Sequence, residues 1–151
     1  MVKWISLFVI VLVIGFFAYV KINNQLPEDL GVTAGLLKPC PTSPNCVSSQ
    51  AEKSDEGHYI APIIYHNNRM DTQLAIESYF LDLGNAHIIT SQLGYVHVQV
   101  KTAWLGFIDD LEFYLPEADS VVHIRSASRV GYSDLDVNRE RIKKLKRYLT
   151  N

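Results

Sequence analysis

The residues best suited to chemistry are concentrated near the C-terminus, in residues 125–141 (RSASRVGYSDLDVNRER). This stretch is rich in arginine, short hydroxyl side chains, Asp and Asn. The guanidinium group of arginine is a planar fork of hydrogen-bond donors that matches a carboxylate or a phosphate. We therefore predict that polar side chains of this stretch hold an anionic ligand: Arg125, Ser126, Ser128, Arg129, Asp134, Asn138 and Arg139.

The anion could equally be supplied by the protein itself. A buried charge is costly unless an opposite charge compensates it, and that compensation usually comes from within the protein. Asp109 and Asp110, in the sequence FIDD, are the candidate partners of Arg125 and Arg129. This alternative predicts an internal ion-pair network that locks an RSASR turn against a FIDD turn.

A metal-dependent hydrolase is a second alternative. Side chains two residues apart on a β-strand share a face, so Asp110 and Glu112 could supply oxygen ligands and His123 an imidazole. Their spacing matches no diagnostic metal motif. Asp109 is adjacent to Asp110 and points to the opposite face of a strand, which disfavours a carboxylate pair that shares a proton. We predict no catalytic residue, metal or cofactor, and the sequence leans away from an enzyme.

Cys40 and Cys46 flank a short loop, PTSPN, that contains two prolines. A disulfide between them would suit a domain exported to an oxidising compartment. Free structural thiols and a metal site are the alternatives. Zinc is disfavoured because the spacing is wider than that of a usual zinc knuckle and the chain has no second cysteine pair. We predict the disulfide.

The N-terminal region predicts a membrane anchor. Residues 4–20 (WISLFVIVLVIGFFAYV) carry no charge and are bracketed by Lys3 and Lys21. As a helix this run would extend about 25 Å, near the short end for a bilayer span. A cleavable signal peptide is the alternative, but no cleavage site with small residues follows the run. We predict an uncleaved transmembrane anchor over residues 1–22.

Charge is distributed unevenly along the chain. The net charge is −2, but residues 23–138 contain 6 basic and 15 acidic residues, whereas residues 139–147 contain 6 basic residues and a single acidic one. An acidic body with a basic C-terminal helix argues against nucleic acid as the main partner. We expect the basic residues to form a solvated helix face, with contact to a membrane surface or a partner as the alternative.

Composition divides the chain after the anchor into two parts. Residues 23–35 are rich in Asn, Gln, Pro and Gly without a clear period, and we predict a linker there. Residues 36–151 have the length of a single domain with one hydrophobic core.

Alternation of apolar and polar residues predicts a sheet within this domain. Residues 95–102, 110–115 and 121–126 alternate with period two, which is typical of antiparallel strands with one face on a core and the other in water. The other predicted elements are an edge or irregular strand over residues 59–65, a helix capped by Asp71 and running to about Leu83, a strand over residues 87–91 and a helix over residues 136–149. This order, β-α-β-β-β-β-α, predicts an α+β domain whose helices cover one face of an antiparallel sheet.

Three stretches resemble the signature blocks of a known family. They are CPTSPNCVSS (residues 40–49), GFIDDLEFYL (residues 106–115) and RSASRVGYSDLDVNRERI (residues 125–142). In this order they resemble the domain of unknown function family 1499, which is found in bacteria and photosynthetic eukaryotes. The resemblance implies no activity. It does imply an N-terminal hydrophobic or lipoprotein-type segment, and this chain has no lipid-acceptor cysteine close to its hydrophobic run.

Together these features predict a non-enzymatic, membrane-anchored module that binds an anionic or amphipathic ligand, or an envelope protein. We expect the anchor to cross a bacterial inner membrane once. The domain would then lie on the periplasmic, exported side, since the charges that flank the hydrophobic run slightly favour a cytoplasmic N-terminus. A structural or assembly factor, in which the arginine–aspartate network only stabilises the fold, is the remaining alternative.

Overall fold

The computed structural model describes residues 2–65 and 67–150. Met1 and Asn151, the outer limits of the predicted anchor and domain, lie outside the described residues. Within those residues the elements, in chain order, are α1 (Val2–Asn23), β1 (Cys46–Ser48), β2 (Ile63–Ile64), α2 (Arg69–Asp82), β3 (Ala86–Gln92), β4 (Tyr95–Lys101), β5 (Ile108–Tyr114), β6 (Val121–Ser128) and α3 (Val137–Thr150).

Helix α1 contains the predicted hydrophobic run. It has 22 residues and is apolar enough to cross a membrane, with a mean hydropathy of 2.6 over its most apolar window. Most of its side chains are exposed, as those of a lipid-facing helix would be, and Val20 near its C-terminal end is buried. The chain therefore has an N-terminal helix suited to a membrane span.

The six strands form one antiparallel sheet in the order β1-β6-β5-β4-β3, and β2 pairs with the same strand, β6, as β1 does. Helix α2 packs against β3 and β4, and α3 packs against β6 and β1. The core between helices and sheet contains Phe80, Phe113, Leu111, Ile142 and Leu145, all with no exposed surface. The predicted α+β class, with helices on one face of an antiparallel sheet, is confirmed.

Three details of the predicted elements are wrong. Strand β1 was not expected, because it has three residues and all of them are buried, so it shows no alternation. Only Ile63 and Ile64 of the predicted strand over residues 59–65 pair with a neighbour. Helix α2 begins earlier than predicted, since the side chain of Asn68 accepts the hydrogen bond from the Asp71 backbone N–H at 2.9 Å. Asn68 is therefore the cap, as an extended Asn preceding a helix commonly is.

The predicted RSASR and FIDD turns are strands. Residues 125–128 form the end of β6, and residues 108–110 form the start of β5. Ala127 pairs with Asp110 on one side and with Cys46 of β1 on the other. The backbone of the arginine-rich stretch is thus held in the sheet from both sides, and its side chains alternate between the two faces.

The second face of the sheet is not simply in water, which corrects the expectation of a wet face. His97, Asp110, Glu112 and Arg125 lie on this face and are buried. We call it the polar face, and the face under α2 and α3 the helix face. The chain between α1 and β1 lies over the polar face: the backbone N–H of Gly31 donates to Glu112 at 2.7 Å.

Candidate functional site

Strand parity divides the chemically active residues into two groups. Asp109 pairs with Ser128 and lies on the helix face, whereas its neighbour Asp110 pairs with Ala127 and lies on the polar face. We call the first group the helix-face cluster (Asp109, Ser126, Ser128, Asn138 and Arg141) and the second the polar-face cluster (Tyr95, His97, Asp110, Glu112, Arg125 and Arg129).

Asp110 is the centre of one half of the polar-face cluster. Arg129 donates to both of its carboxylate oxygens, from Nε to Oδ2 and from Nη2 to Oδ1, each at 2.7 Å. His97 Nε2 lies 2.8 Å from Oδ1. Such a two-pronged contact is the geometry for which arginine is suited. Asp110 and His97 are both buried, so an external anion would have to displace a carboxylate to reach Arg129.

The pKa of the Asp110 carboxyl reflects two opposing effects. Burial raises this pKa, because it disfavours the charged form, but the hydrogen bonds from Arg129 and His97 lower it by more. The net result is a pKa below the ordinary value of 3.8. Asp110 therefore carries its charge near neutral pH, which suits a partner in an ion pair and not a proton donor.

Glu112 is the centre of the other half, and its side chain has no exposed surface. It accepts hydrogen bonds from Arg125 Nη1 at 3.3 Å, from the Tyr95 hydroxyl at 2.9 Å and from Gly31 N at 2.7 Å. Burial, and then the negative charge of Glu112, raise the pKa of Tyr95. Arg125 Nε is buried and finds no hydrogen-bond partner among the residues that the structure describes.

The segment after α1 completes this cluster. Arg129 Nη1 donates to the carbonyl oxygen of Asn24 at 2.7 Å. The Asn24 side chain in turn donates to the carbonyl oxygen of Gly106 at 2.7 Å and accepts from the backbone N–H of Ile108 at 3.3 Å. The predicted linker, residues 23–35, thus contributes contacts that help to close the polar face.

The helix-face cluster joins the sheet to α3. Arg141 Nη2 and the Ser128 hydroxyl donate to Asp109 at 2.7 and 2.5 Å. Asn138, which is fully buried, accepts from the Ser126 hydroxyl at 2.5 Å and donates to Ser128 at 3.1 Å. Arg141 Nη1 also donates to Asn138 at 2.8 Å. Arg141 was not among the predicted site residues, although its spacing of three from Asn138 on a helix places both on one face.

Two of the predicted ligand-binding residues, Asp134 and Arg139, belong to neither cluster. The Asp134 side chain accepts from the backbone N–H of Asn138 at 2.8 Å, at the start of α3. Arg139 donates to the carbonyl oxygens of Tyr59 and Gly57, both at 2.7 Å. The predicted ligand-binding set is therefore spread over two faces of the sheet and one helix start. The predicted internal network is likewise divided: Arg129 contacts Asp110, but Arg125 contacts Glu112, and Arg141 is the partner of Asp109.

The three residues considered for a hydrolase share the polar face, but Asp110 and Glu112 are already held by arginine side chains. His123 stacks on Tyr114, with ring centroids 6.1 Å apart, and its Nδ1 lies 3.4 Å from the Ser49 hydroxyl. Within residues 2–65 and 67–150, no group of three or more His, Cys, Asp and Glu side chains is arranged to hold a metal ion.

A cavity of about 390 Å³ lies beside the cysteine pair. The sulfur atoms of Cys40 and Cys46 are 2.07 Å apart, at disulfide distance. The cavity has an apolar wall that includes Leu36, Leu37 and Cys40, and its other lining residues include Gln50, Glu52, Asp55 and His58. His58 Nδ1 lies 2.7 Å from Asp55, and this hydrogen bond raises the pKa of His58 above its ordinary value of 6.5.

Comparison with known proteins identifies a family. Residues 36–149 match the family described as "Protein of unknown function (DUF1499)". No curated protein and no solved structure matches the chain. The match covers most of the chain. It contains the resembling sequence blocks, β1 to β6, α3 up to Leu149, and both clusters apart from the contacts of Asn24 and Gly31. The chain therefore belongs to the DUF1499 family.

Proposed function

We propose that this protein is a membrane-anchored, non-enzymatic module that binds an amphipathic ligand on the exported side of the membrane. One observation supports the non-enzymatic part of the proposal: the acidic side chains of the two clusters are buried, and each is paired with an arginine. Asp110 is held by Arg129, Glu112 by Arg125 and Asp109 by Arg141. A catalytic acid or base must reach its substrate within hydrogen-bond distance, and these groups are already engaged.

The cysteine pair supports an exported domain. Disulfides persist in oxidising compartments and are rare in the cytosol. Cys40 lies in the loop that leads into β1 and Cys46 is the first residue of β1, so the bond would restrain this loop close to the cavity.

The cavity beside the cysteine pair supports an amphipathic ligand. Its volume of about 390 Å³ falls within the range of small-molecule sites, which combine an apolar wall with a few polar groups. Leu36 and Leu37 supply apolar surface, while Glu52 and Asp55 lie at the same cavity. The Glu52 carboxylate favours a cationic or neutral head group over an anionic one, because like charges repel, whereas the Asp55 carboxylate is paired with His58. An anionic ligand at residues 125–141 is less well supported, since carboxylates of the protein occupy the arginines there.

A neutral replacement of one buried pair tests whether the charges have a chemical role. In the double variant Glu112→Gln with Arg125→Met, the glutamine oxygen can still accept from Gly31 and Tyr95. We expect the melting temperature of the variant to be close to that of the wild type, because a buried pair can be replaced by neutral groups at little cost. We also expect the variant to restore the wild-type phenotype to cells that lack the protein. The single variant Glu112→Gln is the control, since it leaves Arg125 unpaired. A double variant that folds normally but fails to restore the phenotype would overturn the non-enzymatic proposal.

Photolabelling tests the ligand class. The full chain in lipid nanodiscs is exposed to diazirine-bearing alkyl amines or alkyl carboxylates of equal chain length, and the labelled residues are mapped by mass spectrometry. We expect the amine to label residues 36–58 more than the carboxylate does, and Leu36→Asp to reduce this labelling. Leu93→Asp, at an equally exposed leucine far from the cavity, is the matched control. Labelling of residues 36–58 that does not respond to Leu36→Asp would contradict the proposed site.

A further inference from the structure

The loop between β4 and β5, residues 102–107, exposes apolar side chains and is held closed by hydrogen bonds at its base. Thr102 and Phe107 close the loop with backbone and side-chain hydrogen bonds, including Phe107 N to Thr102 Oγ1 and Thr102 N to Phe107 O, both at 2.9 Å. Gly106 has a φ of +70°, a conformation that glycine adopts without strain. At the tip, Ala103 and Leu105 are exposed and Trp104 is 92 % exposed.

This loop lies beside the C-terminal part of α1. The rings of Phe107 and Phe16 form an edge contact, with centroids 6.2 Å apart. The Asn24 side chain, just after the helix, donates to the carbonyl oxygen of Gly106 at 2.7 Å. Phe16 precedes Val20, the last residue of the uncharged run, by four residues, or about 6 Å along a helix. The base of the loop therefore lies beside the apolar run of α1, about one helical turn before the C-terminal end of that run.

The composition of the loop fits the boundary between lipid and water. Residues 102–107 (TAWLGF) contain no charged side chain. Tryptophan and tyrosine are enriched at membrane interfaces, where an apolar ring and a polar N–H or O–H meet their preferred surroundings. The loop that follows β6 leaves the same end of the sheet and also exposes apolar side chains, Tyr132 and Leu135, but it carries Asp134 and Asp136. Those charges disfavour entry into lipid.

We propose that residues 102–107 form a second membrane contact, in which Trp104 enters the interfacial layer of the bilayer that α1 crosses. This inference rests on the membrane anchor of the proposed function, but not on the side of the membrane or on the ligand. The loop backbone is irregular, and unpaired backbone groups are excluded from the hydrocarbon core. Trp104 therefore lies at the level of the head groups and upper acyl chains.

The contact would orient the domain. A single helix and a flexible connection leave a domain free to tilt, whereas a helix and a neighbouring loop fix two points on the membrane surface. The hydrogen bonds between Asn24, Gly106 and Ile108 tie these two points to each other. The first strand positions of β5, which carry Asp109 and Asp110, are then held close to the bilayer.

Tryptophan quenching tests the inference. The chain has two tryptophans, Trp4 and Trp104, so Trp4→Phe leaves Trp104 as the single probe and Trp104→Phe leaves Trp4. The full-length variants are placed in phosphatidylcholine vesicles whose acyl chains are brominated either near the head group or near the chain end. A third variant, Trp4→Phe with Trp104→Phe and Leu93→Trp, carries its probe in the β3–β4 turn at the opposite end of the sheet.

We expect the emission maximum of Trp104 to lie at a shorter wavelength than that of the probe at position 93. Trp104 should be quenched more by bromines near the head group than by bromines near the chain end, while the probe at position 93 should be quenched by neither. If Trp4 is quenched but Trp104 behaves like the probe at position 93, the second contact is wrong and the anchor stands. If Trp4 is not quenched at either depth, the anchor is wrong and the inference fails with it. Quenching at position 93 equal to that of Trp104 would also overturn the inference, because it would show contact without preference for this end of the domain.

Discussion

Asp110 of the polar-face cluster and Asp109 of the helix-face cluster are adjacent in sequence, but different parts of the chain supply the remaining contacts of the two clusters. The helix-face cluster is closed by α3, through Asn138 and Arg141, within the region that matches the family. The polar-face cluster is closed in part by Asn24 and Gly31, which precede that region. One cluster therefore joins the elements of the domain to each other, and the other joins the domain to the segment that follows α1.

The largest expected effect compares the arginine of each cluster. Arg129→Ala leaves Asp110 buried without its two-pronged partner, and removal of one member of a buried pair typically costs about 3–5 kcal/mol. Arg141→Ala should cost less, because Arg141 makes a single hydrogen bond to Asp109 whereas Arg129 makes two to Asp110. Both free energies of unfolding would be measured on the full chain in detergent by urea titration. Equal losses for the two variants would contradict the difference that we infer between the clusters.

The second prediction concerns the centre of the helix-face cluster. Asn138→Ala removes a partner of Ser126, Ser128 and Arg141 in one step, and it leaves the buried Ser126 hydroxyl without its acceptor. Each such group costs about 1–3 kcal/mol, so we expect a loss within or somewhat above that range. Ser133→Ala, at an exposed position two residues before Leu135, is the control and should change the free energy of unfolding little. A loss no greater than that of the control would show that the cluster does not stabilise the packing of α3.

The third prediction uses pH to separate the two neighbouring aspartates. The folded-state pKa of Asp110 lies below its ordinary value of 3.8, so the unfolded chain binds a proton at higher pH than the folded chain does. The stability that Asp110 contributes is therefore complete above pH ~4 and is lost as the pH falls through the folded-state pKa, with a slope of at most about 1.4 kcal/mol per pH unit.

The measurement compares the pH dependence of the free energy of unfolding for the wild type and Asp110→Asn below pH ~4. We expect the variant to be less stable at neutral pH and to lose less stability on acidification. An unchanged slope would mean that the polar-face cluster does not lower the pKa of the Asp110 carboxyl in the folded chain.

The smallest expected effect tests the closure of the polar face. Asn24→Ala removes two hydrogen bonds, to Gly106 and from Ile108, of which the second is long at 3.3 Å. A typical hydrogen bond contributes about 0.5–1.5 kcal/mol, so we expect a loss of about 1 kcal/mol. Asn23→Ala is the matched control, because among residues 2–65 and 67–150 the Asn23 side chain bonds only within α1, to the Tyr19 carbonyl oxygen at 2.8 Å. Thermal unfolding of both variants would be compared. A larger shift for Asn23→Ala would argue against a role of this segment in the domain.

Much of the fold could be predicted from local patterns. Period-two alternation identified β4, β5 and β6, since Val96, Val98 and Val100 face the core while their neighbours do not. The same parity correctly separated Asp109 from Asp110. Strand β1 could not be found in this way, because it is short and buried on both faces and depends on pairing with β6 for its existence.

The partners of the charged residues were harder to predict, because they depend on contacts between distant parts of the chain. Glu112 is bonded to a backbone N–H 81 residues earlier in the sequence, and no side-chain pattern marks Gly31 for that role. The expectation of a wet sheet face failed for the same reason: alternation reports that a face is polar, but not whether another segment covers it. Arg141 was overlooked because a basic helix end has a simpler explanation as a solvated surface.

The cover over the polar face has one consequence for sequence divergence. Gly31 and Asn24 reach Glu112 and Arg129 through main-chain atoms, an N–H and a carbonyl oxygen, which nearly every residue type provides. Contacts of this kind depend on the path of the backbone and constrain residue identity weakly. We therefore expect most positions of this stretch to tolerate substitution among relatives. The exceptions are Gly31, whose φ of +113° favours glycine, and Asn24, whose side chain bonds Gly106 and Ile108. A shortened stretch should expose Glu112 even where every residue of the domain itself is unchanged.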